Sequence, residues 1–400
     1  MPSQRRQTWI SAIGIAAAVL CTAAVAVYSY VTALSTPLHS TPQAVPSSLA
    51  APPSPEWADA VELGRQAARE GLVEKNLPGL SVAVGAAGEV VWAEAFGWAD
   101  IEKRLPVTPQ LRFRIGHVSK ALTSAGVGVL VERDLVDLDT EIQTYVPAFP
   151  KKEWPITLRQ LMGHMAGIRH YDSEEDYMPT AHCDRASEGL QRFAESPLLF
   201  EPETQSRYST YGWILASAAV EAAAGEPFFA FMRREVFEPL GMASTVADSP
   251  DDSTPDVVTF YYPRFSGDPG SGSDPARRVD YSCFAGAGAF LSTPTDLVKF
   301  GNGLGARKLL KRSTVAMLQT PQVLASGQET EHGLGWQMQS VPVGGEPTSV
   351  AGHASLTLLG GSTSFLTFPD LGIVVAVTSN TSRANTRSIA LRIAEAFAGR

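Results

Sequence analysis

Phe113-Arg-Ile-Gly-His-Val-Ser-Lys120 runs without interruption into Ala121-Leu-Thr-Ser-Ala-Gly-Val-Gly-Val-Leu-Val-Glu132. From Val118 to Glu132 the chain is apolar and lacks proline, which predicts a helix. His117 and Lys120 stand three residues apart at its start, so a helix places them one turn apart on a shared face. Upstream, Leu80-Ser-Val-Ala-Val84, turn residues between Gly85 and Gly88, and Val90-Val-Trp-Ala-Glu94 predict a hairpin. Downstream, Thr157 can cap a short helix to Met162. Ser209 to Ala224 is an Ala-rich helix stopped by Gly225, and Pro227 to Phe237 is another. A second hairpin follows, with Ser364–Phe368, a turn at Pro369–Gly372, and Ile373–Val377. Ser388 to Ala398 then spaces Ile389, Ile393 and Phe397 four apart, an amphipathic helix.

Strands at both ends with helices between them predict one sheet built from distant segments and interrupted by a helical subdomain. The fold class is therefore α/β (α+β), an antiparallel sheet flanked by helices plus an inserted all-helical subdomain over roughly residues 121–270. Asp248 to Asp280, rich in Pro, Gly, Ser and Asp, reads as a long surface excursion. A site is expected in the cleft between sheet and insertion.

The 400 residues suffice for a large core. Hydrophobic residues at 44% and charged residues at 18% exclude the disordered and coiled-coil classes. A net charge of -9 with no Lys/Arg cluster lacks the footprint of a nucleic-acid binder. Three cysteines, at 21, 183 and 283, are too few for a disulfide framework and lack the paired spacing of a zinc site. Cys183 and Cys283 can pair in an oxidising compartment or stay as buried thiols, and the sequence leaves both open.

Between Gln7 and Pro55 there is no Asp, Glu, Lys or Arg. Residues 1–8 read as a cytoplasmic N-terminus, 9–34 as a transmembrane anchor or signal segment, 35–55 as a Pro/Ser-rich linker and 56–400 as the folded domain. The apolar run is long enough to cross a bilayer as a helix, and Arg5 and Arg6 ahead of it orient the domain outward. Its length favours an uncleaved anchor over a signal peptide cut after Ala24-Val25-Ala26. A lipoprotein reading of Cys21 is opposed by the bulky Leu20. The six prolines of the linker imply an extended tether.

Three stretches carry a resemblance: Phe113–Lys120, Thr157-Leu-Arg-Gln-Leu-Met-Gly-His-Met-Ala-Gly-Ile-Arg-His-Tyr171, and Tyr208-Ser-Thr210. With Phe237–Met242, Leu291–Leu297 and His332-Gly-Leu-Gly-Trp336 they resemble, in order, the serine β-lactamase and penicillin-binding-protein superfamily. The likeness leans to the class C-like branch of membrane-anchored or mitochondrial β-lactamase-like proteins. It implies a β-lactamase/transpeptidase-like fold and acyl transfer by a serine at a helix start. A lysine three residues on and a tyrosine of the second motif would assist. A basic third motif on a strand, whose amide helps hold the oxyanion, completes the implied site.

Lys120 and Tyr208 fall at the family's lysine and tyrosine, and the nucleophile position is His117. An imidazole differs from a hydroxymethyl group in size and direction, and an acyl-imidazole is itself reactive. Attenuated chemistry and a changed mechanism both stay open. Ser119, rotated by about 100° per residue from its neighbours, is expected to pack inward rather than substitute. Within Ala351-Gly-His-Ala-Ser355, His353 fits the basic position, while Ser355 replaces a glycine and narrows the approach to the strand. Thr210 replaces the commoner asparagine. Catalytic candidates are thus His117, Lys120 and Tyr208, and substrate-binding candidates are Thr210, His353 and Ser355. All except Thr210 and Ser355 are expected to meet in one pocket, with Lys120 depressed in pKa.

Other residues read more plainly. His164 and His170 suit structural or surface roles rather than a metal site. Trp92, Trp98, Trp213 and Trp336 suit the core or the cleft wall. Asp134, Asp137 and Asp139 suit a solvated loop. No cofactor is implied. The partners expected are a small-molecule or peptide substrate and, through the N-terminal helix, a membrane. The reading is a membrane-anchored hydrolase acting on an ester, amide or small peptide, or an inactive relative used for binding or assembly.

Overall fold

Alternation at the two ends of the chain builds the centre of the molecule. The computed structural model describes residues 2–34, 37–173, 176, 181–248, 256–264, 267, 269–355 and 360–399. Its main sheet contains β1 (Ser47–Leu49), β2 (Gly79–Ala86), β3 (Glu89–Asp100), β4 (Gln337–Val343), β5 (Glu346–Ser355), β6 (Ser362–Phe368) and β7 (Ile373–Ser379). They lie in the order β1-β3-β2-β7-β6-β5-β4, every pair antiparallel, and Leu105–Pro106 pairs with β3. Both expected hairpins form. The first turns on Ala87 and Gly88, both at positive φ, as a two-residue loop matching the strand twist requires. Gly85 thus belongs to β2 rather than to the turn.

Leu80, Val82 and Val84 of β2 share one face with Leu366, Val375 and Val377. Helices α1 (Ala58–Glu74) and α2 (Thr386–Ala398) cover that face with Val61, Ala68, Leu72, Ile389, Ile393 and Phe397. Each of these large side chains contributes about 1.5–3 kcal/mol by leaving water. Ala83, Ala376 and Phe365 face the other way, into a larger core shared with the insertion.

That insertion runs between β3 and β4. It carries α3 (Ser119–Glu132), α4 (Leu158–Met162), α5 (Thr210–Ala224) and α6 (Pro294–Gly305). Thr157 and Gln160 form a reciprocal capping box on α4, Ser209 caps α5, and Gly225 in the left-handed region ends it. The insertion is not helical throughout. Phe113–Arg114, Val246–Ala247 and Phe290–Ser292 form a small sheet, and Tyr261–Pro263 pairs with Ser273–Pro275.

Asp248 to Asp280 departs from the surface excursion expected of it, although 249–255, 265–266 and 268 lie outside the described residues. Val258, Tyr261 and Val279 are buried, and the Asp248 carboxylate takes a 2.7 Å ion pair from the buried Arg114. The rings of Phe260 and Tyr281 lie 4.2 and 4.7 Å from that guanidinium. Part of this stretch is inside, where its buried polar groups are bonded, while Asp274, Arg277 and Arg278 are exposed.

Pro2–Leu34 is one helix, in which Gly14–Thr32 is exposed and is long and apolar enough to cross a membrane. The stretch expected to be a free tether is partly docked. His39 stacks on Trp98, Val45 is buried, and Ser47–Leu49 is the edge strand β1 on β3. Backbone pairing and one apolar anchor outweigh the proline-rich composition, so the ordered domain starts before residue 56. Cys183 and Cys283 are joined in a disulfide that fastens Ala181–Cys183 to the Ser282–Ala287 turn, and Cys21 is free.

Candidate active site

The start of α3 is set by Gly116, whose φ of 50° turns the chain from the Phe113–Arg114 strand into a short 3-10 turn at Gly116–Val118. That turn packs against β5 and β6, so His117 stands beside His353 and Ser355. The insertion supplies the opposite wall, with Thr210 at the first turn of α5 and Tyr171 beyond α4. His117 Nε2 lies 3.4 Å from both the Thr210 hydroxyl and the Tyr171 hydroxyl. Its ring centroid is 5.4 Å from Tyr208 and 6.2 Å from His353. His117 is half-buried and Lys120 is fully buried. The expected four, His117, Lys120, Tyr208 and His353, lie close together between sheet and insertion, with Thr210 and Ser355 beside them.

Lys120 donates to the Ala287 carbonyl at 2.9 Å, and its Nζ lies 5.1 Å from the centroid of the Tyr208 ring. That carbonyl belongs to the turn after Cys283. There Ala285 holds φ 43° and ψ -129°, a strained conformation for a residue with a Cβ. Thr123 secures the same turn by donating to Gly286 O at 3.0 Å. The Tyr208 hydroxyl is buried beside Thr210. Ser119 is wholly buried, in keeping with the inward packing expected of it.

Ser355 has a specific contact. Its Oγ accepts the backbone N–H of His117 at 3.1 Å. The amide of a nucleophile's own residue is a natural oxyanion donor. Here that donor is occupied by a neighbouring hydroxyl. Residues 356–359, which follow Ser355, lie outside the described residues.

The cluster is strongly basic in composition, and its burial opposes positive charge. Burial drives the Lys120 pKa well below its ordinary value. Burial, then Lys120 and the other imidazoles, does the same to His117. His353 falls to about 3 by burial and by Lys120. Burial raises the Tyr208 phenol well above its ordinary value. The His353 Nδ1–H donates to the Ala354 carbonyl at 3.3 Å, leaving Nε2 as an acceptor.

Three further histidines surround Tyr208. His164, His170 and His332 place their ring centroids 4.4, 5.6 and 6.2 Å from it. Five of the seven histidines in the chain thus gather here. Their count in the sequence was visible, but nothing in their spacing showed convergence. Among the described residues, no three His, Cys, Asp or Glu side chains are grouped as metal ligands. Trp92, Trp213 and Trp336 are core residues, and Trp98 is the half-buried partner of His39.

An antiparallel sheet flanked by helices, with Lys120 and Tyr208 behind the start of α3 and His353 on the strand opposite, is the arrangement the resemblance implies. The family described as Beta-lactamase matches residues 65–400, and the chain belongs to it. It is 28% identical to the human serine beta-lactamase-like protein LACTB, mitochondrial, over 88% of this chain and 82% of that protein. Penicillin-binding protein 4* of Bacillus subtilis is 24% identical over 71% of this chain and 64% of its own. Among solved structures, D-amino acid amidase from Ochrobactrum anthropi superposes with a TM-score of 0.72 at 22% identity. It covers 85% of this chain and 99% of the amidase. That last likeness establishes shared fold.

Proposed function

We propose that this chain is a membrane-anchored β-lactamase-related protein whose cleft holds a small ester, amide or peptide and turns it over slowly at most. The Ser355 Oγ bond to the His117 amide carries this reading. It removes an oxyanion donor at the residue where the nucleophilic hydroxyl is already missing, so two parts of one machine are changed together. Lys120 is bonded to Ala287 O, and no hydrogen bond joins it to the His117 ring, so the nucleophile–base pair is not assembled. Lys120 and Tyr208 are assigned the residual proton-transfer role, and Thr210 and His353 the substrate side of the cleft. Arg5 and Arg6 ahead of the apolar helix support a single span with the domain on the extracytoplasmic side.

A second reading makes His117 the working nucleophile. It is favoured by a half-exposed ring held neutral, with Nε2 facing two hydroxyls. Hydrolysis of a p-nitrophenyl ester by wild type, His117→Ala and His117→Ser separates the two. A wild-type rate near background, raised in His117→Ser, supports the first. A wild-type turnover in the ordinary range of about 1–10³ s⁻¹, lost in His117→Ala, supports the second.

A further inference from the structure

Tyr208-Ser-Thr210 is held by an unusual pair of bonds. The Ser209 backbone N–H donates to His164 Nδ1 at 3.1 Å, and the next N–H, of Thr210, donates to His170 Nδ1 at 3.2 Å. Two more bonds run to the same cradle segment. Arg207 N–H donates to the His164 carbonyl at 2.9 Å, and Ser209 Oγ donates to the Arg169 carbonyl at 2.8 Å. His164 is buried and held at φ 61°, a conformation that persists in a non-glycine residue only where its surroundings fix it.

The chemistry of these bonds determines the state of both rings. A peptide N–H can only donate, so each Nδ1 must be unprotonated and each Nε2 must carry the hydrogen. A metal at Nε2 would require that hydrogen to leave, so the pair is not arranged as a ligand set. Protonation would place a ring N–H against a peptide N–H, donor against donor.

From this geometry we infer that His164 and His170 form a two-point acceptor clamp that positions Tyr208, Ser209 and Thr210, and that protonation of the rings releases the triplet. They are positioning residues, since they act through the backbone of the triplet. The inference is independent of whether the site turns over substrate.

The groups facing each ring bear on the acid step. His164 packs against His332, Tyr208 and Trp213, with ring centroids 5.0, 4.4 and 6.4 Å away, and Lys120, His353 and His170 add repulsion. His170 packs on Tyr171 at 3.7 Å and on Tyr208 at 5.6 Å. Lys120 and Arg207 oppose its protonation, and Asp176 favours it. Burial is the largest influence on both, and His170 is pushed down to about 4. The clamp is therefore closed at neutral pH and opens in acid.

The test uses nitrogen-resolved NMR of the histidine rings, and amide hydrogen exchange, in the full-length chain purified in detergent. At pH 7.5 two rings should show unprotonated Nδ1 and protonated Nε2, and neither should titrate above pH 5. Exchange at Ser209 and Thr210, corrected for its intrinsic pH dependence, should quicken by about tenfold in step with ring protonation, the worth of roughly one hydrogen bond. His170→Asn retains an acceptor near the Nδ1 position without a titrating group. It should keep Thr210 slow and abolish the acid step there, whereas His170→Leu should exchange fast at every pH. His164→Asn serves the same purpose at Ser209. A ring with protonated Nδ1 at pH 7.5, or titration that leaves both amides unchanged, overturns the inference. The wild-type ring spectra decide the point even where a variant does not fold.

Discussion

The two sides of the cleft have diverged to different extents. Behind the helix start, Lys120, the Ala287 carbonyl and Tyr208 keep the arrangement the family resemblance implies, fixed by Thr123 and by the turn that Cys283 anchors. In front, His117 stands where the resemblance places the nucleophile, and the Ser355 hydroxyl caps its amide. On the proposed reading, the two front-side changes act as a coupled pair. A serine restored at 117 would still meet an occupied oxyanion donor, and a glycine restored at 355 would free a donor for a nucleophile that is absent.

The largest expected effect comes from repairing both positions of the front side. His117→Ser/Ser355→Gly should raise activated-ester hydrolysis about 10³-fold or more over wild type, within the range that nucleophile knockouts cost elsewhere. His117→Ser alone should fall short of the double variant by about 10²–10³-fold, the worth of one oxyanion donor. Equal rates in the single and double variants would break the coupling.

On the side behind the helix start, Cys183→Ser/Cys283→Ser should lower unfolding free energy by about 2–4 kcal/mol, since the bond closes a long loop in the unfolded chain. In the repaired background it should also reduce the rate, because the turn carrying Ala287 loosens. A full rate in a folded variant would show that the turn is held without the disulfide.

The third effect is of pH on stability, read from urea midpoints at pH 7 and pH 4.5. His353 and His170 are neutral in the fold down to about 3 and about 4, against an ordinary value of 6.5. The unfolded chain therefore binds more protons below about pH 6.5, and stability falls as pH drops from there toward the folded values. The drop should be smaller in His353→Gln than in wild type. A smaller effect still, about 1 kcal/mol, is expected for Val45→Ala. This docks the segment before the domain and should leave any ester rate untouched.

Much of this molecule was legible locally. The apolar run after Lys120, the two hairpins, the cap at Thr157 and the stop at Gly225 are patterns in which neighbours determine structure, and they formed as read. The spacing of His117 to Lys120 placed both on the cleft side of one helix start. What was hidden depends on distant partners. Ser47–Leu49 is three residues long and becomes a strand only because β3 offers an open edge. The Asp248 region is loop-like in composition, and its burial depends on Arg114, 134 residues away. The gathering of His164, His170 and His332 around Tyr208 joins segments whose spacing carries no period. Ser355 was readable as an obstruction, but its bond to one specific amide was not.

The most direct test of the coupled loss is intact-mass analysis after incubation with a fluorophosphonate, with the modified residue mapped. Wild type should stay unmodified within the cleft, and His117→Ser/Ser355→Gly should gain one adduct at position 117 that is abolished by adding Lys120→Met. Rapid stoichiometric labelling of wild type on His117 would contradict the account, because it would show a working nucleophile in a site that needs no repair.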